Sequence, residues 1–333
     1  MIKVSVLIVT YKREALLLNC LNSLRQLEEF FDLELILFVN GQGLSSAAYD
    51  EIQSKFKSLT VLEEKRVTPG VARNKAMKMA KGDWIFFIDD DASLPEGYGA
   101  SVFKIFSEHG DWESFGGPDA VTKNSDMFQQ SLAIALSSPF CTGPTYRRHS
   151  PQNKDIYLGS EKDLTSCHLW VKRDAVQRNG IIFAEQFHRG EETTFLQDLA
   201  RAGISLWAIP RLWVFHERRK TFLELLRPLF YGGYYRSAIS PRLFQVFALP
   251  SIMVLGHGLI FFKPLLFILL FEIYFCLVAT ISLGLCLRAK KIKCTPYVIV
   301  LHYTMVTLYG IGFLFQRLQR IISLSAQKDS SPV

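Results

Sequence analysis

Residues 81–95 read KGDWIFFIDDDASLP, and the order of residue types within them decides the fold. Residues 84–88 are all apolar or aromatic, so the strand they form has no polar face, as in a parallel sheet covered by helices on both sides. Lys81 and Gly82 close a helix predicted over 71–80, because a basic last turn and a following glycine are stop signals. Three carboxylates, Asp89, Asp90 and Asp91, follow the strand at once. Ligands of open α/β sheets bind beyond the carboxyl ends of the strands, so the triplet stands where chemistry is expected.

Upstream, the same alternation recurs. Strands are predicted over 4–10, 33–40 and 60–62, and helices over 14–28 and 47–57, a βαβαβ order with ligand-bearing loops after Val9, Phe38 and Ile88. MIKVSVLIVTY lacks a charged leader followed by a long apolar stretch and reads as a buried strand, so this domain is expected to stay in the cytosol. Downstream, residues 93–160 are rich in Gly, Pro and Ser and predict loops. Order returns with a strand at 168–173, a helix opened by Asp174, a helix over 191–201 closed by Gly203, and the strand-like LWAIP and WVFH.

Composition divides the 333 residues into two parts, since most charge precedes Arg242 and long apolar runs follow it. The segment 221–241 mixes Leu, Phe and Tyr with Arg, as a helix in the headgroup plane does. Beyond it, 242–318 holds apolar stretches at 243–262, 265–287 and 297–315, each near the ~20 residues that cross a bilayer, and 319–333 is a polar tail. Gln245, Pro250, His257 and two glycines leave the first stretch open to a re-entrant reading, so two to three membrane helices are expected. Glu272 within the second reads as a snorkelling or helix-paired carboxyl.

The net charge of +7 does not indicate nucleic acid, because the basic residues are scattered and lack interleaved stacking aromatics. Arg288, Lys290, Lys291 and Lys293 instead form a basic knot between two apolar stretches, which marks a cytoplasmic loop at a membrane lipid surface. The six cysteines show no CxxC spacing and read as reduced, structural thiols.

Asp89 and Asp91 occupy alternate positions of an extended segment and so share a face, where one can face a ribose and the other a divalent cation. Asp90 joins the nucleotide-facing set. An acidic turn capping a helix is the structural alternative. His216, in the late VFH, can complete a site for Mg²⁺ or Mn²⁺. Glu191 and Glu192 open a helix; they are either partners of its dipole or a pair whose mutual repulsion raises one pKa, as suits a general base. Thr10, Tyr11, Arg13, Asn40, Gly70, Arg73 and Asn74 lie at strand ends or a helix start, where a nucleotide diphosphate would be held, with Arg73 the foremost contact.

In order, SVLIVTYKR, LFVNG, TPGVARNKAM, KGDWIFFIDDD, FGGP, HLWVKRDAV, RGEETTFLQDLARAG and VFHE resemble family 2 glycosyltransferases over about residues 3–220. The resemblance implies a GT-A nucleotide-diphospho-sugar transferase fold, a Rossmann-like mixed sheet, in a catalytic domain of residues 1–220. It makes Asp89 and Asp91 the metal and ribose pair, His216 a late metal ligand and Glu192 the acceptor base of an inverting displacement. Asn40 stands where the family usually has an Asp that reads uracil, which bears on a UDP-sugar donor. The C-terminal segments also look like bacterial enzymes of exopolysaccharide assembly. The expectation is therefore a transferase at the cytoplasmic membrane, facing the cytoplasm, that acts on a lipid-linked or saccharide acceptor. Polyprenyl phosphate itself is the rival acceptor. A non-catalytic scaffold subunit is the rival class, disfavoured by the retained acidic residues and His216.

Overall fold

The computed structural model describes residues 1–152, 154–239 and 254–329. It divides into two compact units: Met1–Lys123 with Arg147–Glu217, and Asn124–Tyr146 with the described residues from Arg218 onward.

In the first unit β1 (Ile2–Thr10), β2 (Phe31–Asn40), β3 (Leu59–Glu64) and β4 (Trp84–Ile88) pair in parallel in the order β3-β2-β1-β4. Their crossovers carry α1 (Glu14–Leu24), α2 (Ser46–Lys55) and α3 (Pro69–Met79). Because these strands run parallel, Thr10, Asn40 and Ile88 all end at one edge. Past β4 the sheet becomes mixed. It continues through β9 (His168–Lys172), β6 (Ser114–Gly116), β10 (Trp207–Ala208) and β8 (Tyr157–Leu158), with β9 antiparallel to both β4 and β6. A separate three-stranded sheet joins β5 (Ala92–Ser93), β11 (Val214–His216) and β7 (Asp119–Val121). The expected mixed α/β fold is present.

Period-two alternation sends Val4, Val6 and Ile8 of β1 into one core and Leu7 into the other. The first core is aromatic: Trp170 stacks on Phe86 at 4.3 Å and on Phe115 at 5.7 Å. The second holds Phe183 against Phe195 at 4.1 Å, below α8 (Glu191–Arg201). A short helix, α7 (Arg173–Arg178), follows β9. Each such side chain taken fully out of water contributes roughly 1.5–3 kcal/mol.

Residues 93–160 are more ordered than their composition predicts. Two helices of ten or more residues form there, α4 (Tyr98–Glu108) and α5 (Met127–Leu136). α4 buries Tyr98, Val102 and Ile105, and α5 starts at a reciprocal capping box in which Asp126 and Gln129 satisfy each other's backbone N–H groups.

The second unit contains α5, the single turn α6 (Pro139–Thr142), α9 (Leu223–Ile239), the short α10 (Leu259–Phe262), α11 (Pro264–Arg288) and α12 (Thr295–Asp329). Two helices, Pro264–Arg288 and Ile292–Ser323, are long and apolar enough to cross a membrane, with mean hydropathies of 2.4 and 1.8. The third expected stretch, 243–262, falls largely on 240–253, outside the described residues. α9 occupies the segment assigned to the headgroup plane, and it packs along α12. The two helices touch through glycines: a Cβ on Gly233 would stand 1.9 Å from the Tyr309 carbonyl oxygen, and one on Gly312 1.9 Å from that of Phe230. Ser237 donates to Gln316 at 2.9 Å along the same seam.

Candidate active site

The edge where β1, β2 and β4 end gathers the polar groups. The Thr10 hydroxyl donates to Asp90 at 2.8 Å, and Arg13, just before α1, pairs with Asp90 at 3.2 Å and with Asp91. Arg73 of α3, its side chain 11% exposed, bridges Asp89 at 3.1 Å and Glu191 at the start of α8. A largely covered guanidinium needs such paired carboxylates, so Arg73 ties the end of β4 to α8.

His216 reaches this cluster through the small sheet, where it sits opposite Ala92 in the antiparallel pairing of β11 with β5. Its Nε2 lies 3.1 Å from Asp91 and its Nδ1 3.2 Å from Asp119. Asp119, itself buried, also accepts from His149 at 2.9 Å. Asp119 therefore sets the ring orientation that points Nε2 at Asp91, as an outer carboxylate does for a metal-bound imidazole. Sequence reasoning missed Asp119 and His149. The one signal for Asp119 was its place directly after FGGP, and nothing marked His149.

The electrostatics are strained toward excess negative charge. Burial pushes Asp90 up to about 6, aided by neighbouring Asp91. Burial also raises Asp89, Arg73 pulls it down, and the charge of Asp91 raises it again. His216 is raised well above the usual imidazole range: burial opposes its charge, but the carboxylates of Asp91 and Asp119 outweigh that. A divalent cation would relieve the crowding. Asp89, Cys167 and His216 offer ligand atoms within 4.8 Å of one another. Burial pushes the Cys167 thiol up to about 11, so it stays protonated and is a poor ligand for a hard ion. Within that trio Asp89 and His216 are the oxygen and imidazole donors that suit a hard ion such as Mg²⁺ or Mn²⁺, and Asp91 stands beside His216 at 3.1 Å.

The two glutamates separate in role. Glu191 is buried and tied to Arg73; burial, with Glu192 alongside, raises its pKa. Glu192 has a side chain 26% exposed and stands 3.6 Å from Arg148, which makes it the accessible one of the pair.

Of the remaining candidates, Tyr11 lies under the Arg66 guanidinium at 4.6 Å. A cavity of about 290 Å³, lined by Thr10, Lys12, Arg13, Val39, Gln42 and Leu44, opens beside it at the ends of β1 and β2. Asn40, Gly70 and Asn74 are not part of the network. Asn40 holds the backbone of Val67 at both its N–H (2.8 Å) and its carbonyl (3.1 Å). Asn74 grips the Phe183 backbone in the same way at 2.8 and 2.9 Å. Gly70 allows the Ala184 carbonyl to approach so closely that a Cβ would stand 2.4 Å from it. These three fix the loops around Arg73.

The family model described as glycosyl transferase family 2 matches residues 5–180. A poly(ribitol-phosphate) beta-glucosyltransferase of Bacillus spizizenii is 34% identical over 94 residues, 27% of this chain and 15% of that protein. EpsH of Bacillus subtilis, a glycosyltransferase by name, is 28% identical over 112 residues, 32% of this chain and 31% of that one. The chain thus spans less than a third of the length of either relative. Among solved structures, S. aureus TarS 1-349 superposes with a TM-score of 0.51 at 15% identity, covering 95% of this chain and 92% of that chain. The same TarS fragment has been crystallised with UDP-GlcNAc and with UDP. With more than half of its residues matching the family model, the chain belongs to glycosyl transferase family 2.

Proposed function

We propose that the chain is an inverting, metal-dependent glycosyltransferase that moves a sugar from a nucleotide-diphosphate donor to a lipid-linked saccharide at the cytoplasmic membrane face, in surface polysaccharide assembly. One observation carries the reading: Asp91, His216 and Asp89 converge at the edge where Arg13 and Arg73 also point, with Glu192 at the start of the helix that Arg73 holds. The names of the relatives, a polymer glucosyltransferase among them, and the TarS complexes with UDP-GlcNAc and UDP support the donor class.

In this reading the cavity at the ends of β1 and β2 takes the nucleotide base, and Arg13 and Arg73 face the diphosphate. Asp91 and His216, with Asp89, would hold Mg²⁺ or Mn²⁺, which when bound neutralises diphosphate charge. Glu192 accepts the proton of the acceptor hydroxyl; its oxygen attacks the anomeric carbon as the bond to the diphosphate oxygen breaks, inverting the centre. A second cavity of about 220 Å³, lined by Gly117, Pro118, Arg147, Gln152, Tyr157 and Ile209, offers the guanidinium, amide and phenol groups of Arg147, Gln152 and Tyr157 to a saccharide acceptor within a largely apolar lining. The two apolar helices support a membrane location, and with the apolar stretch 243–262 as a third span the basic turn Arg288, Lys290, Lys291 and Lys293 and the catalytic domain both face the cytoplasm.

The test is a screen of nucleotide sugars with Mn²⁺ or Mg²⁺, read as hydrolysis and as protection against unfolding, on wild type and Asp89→Ala. Metal-dependent protection that the substitution abolishes is the expected result. Equal behaviour of the two proteins removes the site assignment.

A further inference from the structure

We propose that the second unit holds a groove for the isoprenoid chain of a polyprenyl phosphate or diphosphate, with its phosphate end at the basic turn between α11 and α12. The inference deepens the reading above and rests on its lipid-linked acceptor. Phe128 of α5, Phe222 at the start of α9, and Pro296, Tyr297, Val300 and Leu301 of α12 line an apolar cavity of about 340 Å³. Tyr297 and Val300 keep 42% and 52% of their surface exposed, so the groove is open along α12. Val300 also lines a second apolar cavity of about 180 Å³ with Phe271, Tyr274 and Tyr303. The two adjoin along one face of α12, and from Pro296 to Tyr303 this path covers about 10 Å of helix.

Charge lies at one end of the path. Arg288, Lys290 and Lys293 are exposed, and no salt bridge joins any of them to a described residue. They precede Pro296 directly, so the groove begins beside unneutralised cations, which complement a phosphate or diphosphate. Ordinary acyl chains already have the outer surface of α11, where Leu265, Ile273 and Leu277 are at least half exposed. The groove differs in being recessed, walled by rings and branched side chains, and set against those cations. Its wall is also tethered to the catalytic residues. Phe222 follows His216 by six residues, and whatever the arrangement of the two units, that length of chain spans at most roughly 20 Å.

The full chain, reconstituted in phosphatidylcholine vesicles, would be photolabelled with a polyprenyl phosphate bearing a diazirine in its chain, and the labelled peptides mapped. Label on the peptides containing Phe222 and Pro296–Leu301 is expected. Val300→Trp, which fills the groove from an exposed position, should reduce it at least five-fold, and the double change Lys290→Gln with Lys293→Gln at least three-fold. Leu269→Trp, on the outer surface of α11, should leave it unchanged. Acceptor-independent hydrolysis of the nucleotide sugar should persist in all of these variants, which reports that they fold. Equal labelling of the groove by a diazirine phosphatidylglycerol, or labelling indifferent to Val300→Trp, overturns the proposal. Groove labelling without any nucleotide-sugar hydrolysis by wild type would count against the donor reading and leave the groove standing.

Discussion

Asp119 touches neither the reacting atoms nor the outer face of the cluster, yet it holds the ring that faces Asp91. Asp119→Asn should retain the fold and weaken Mn²⁺ binding about 10- to 100-fold, the usual effect of removing an outer carboxylate, as read by Mn²⁺ titration of donor-induced thermal protection. His168 gives a separate prediction, about stability. It is fully buried in β9, 2.6 Å from the Tyr98 hydroxyl, and burial pushes its pKa down to about 4 from an ordinary 6.5. The folded protein therefore refuses a proton that the unfolded chain accepts, so stability falls as pH drops from about 7 through 6.5 toward 4 and stops falling below that. The loss at the acid end is about 3 kcal/mol. Replacing His168 with Gln should flatten this part of the pH dependence of the unfolding midpoint relative to wild type; an identical slope would remove the assignment. Residue types at strand ends and at a helix start pointed to Asp89, Asp91 and Arg73, because a charged group at such a terminus has a stereotyped place. Asn40 and Asn74 shared that address but turned inward to backbone partners, a choice that depends on tertiary neighbours no local pattern encodes.

At the scale of elements, the strands and helices of the βαβαβ half were legible because fully apolar strands and 3.6-residue stripes are strong signals. β4 and α8 fall on the predicted residues, while α1 ends earlier than predicted and gives way to a 3₁₀ turn over Arg25–Leu27. α4 and α5 were hidden by the surrounding Gly, Pro and Ser, although the Asp126 and Gln129 capping box was present in the sequence. The two-residue strands β5 and β8 owe their existence to partners, not to propensity. The crossing of α9 with α12 yields a sharper test. Gly233→Leu forces at least a side chain into space occupied by the Tyr309 carbonyl and should destabilise the helix pair by about 3 kcal/mol or more, seen as a lower thermal midpoint in detergent. The same substitution at Gly284, which has nothing within 4 Å, should be close to neutral.

For the molecule as a whole, the sequence showed a charged part and an apolar part, but not that the chain interleaves them. Residues Asn124–Tyr146 belong with the C-terminal helices, and Leu132, Ile134 and Ala135 of α5 are buried with Leu225, Val298 and Leu301. A truncation after residue 220, placed at the boundary the composition suggests, strips that cover from α5. It should yield a chain that aggregates or binds hydrophobic dyes, whereas the full chain in detergent should not; a monodisperse truncated protein would show that α5 finds another partner. The interleaving also sets an order of events during synthesis. α5 leaves the ribosome about 165 residues before the part of α12 that shelters it, a wait of roughly 10–30 s at ordinary elongation rates. Through that interval the nascent chain carries an unsheltered greasy helix between two halves of a soluble sheet, a natural handhold for chaperones or the insertion machinery.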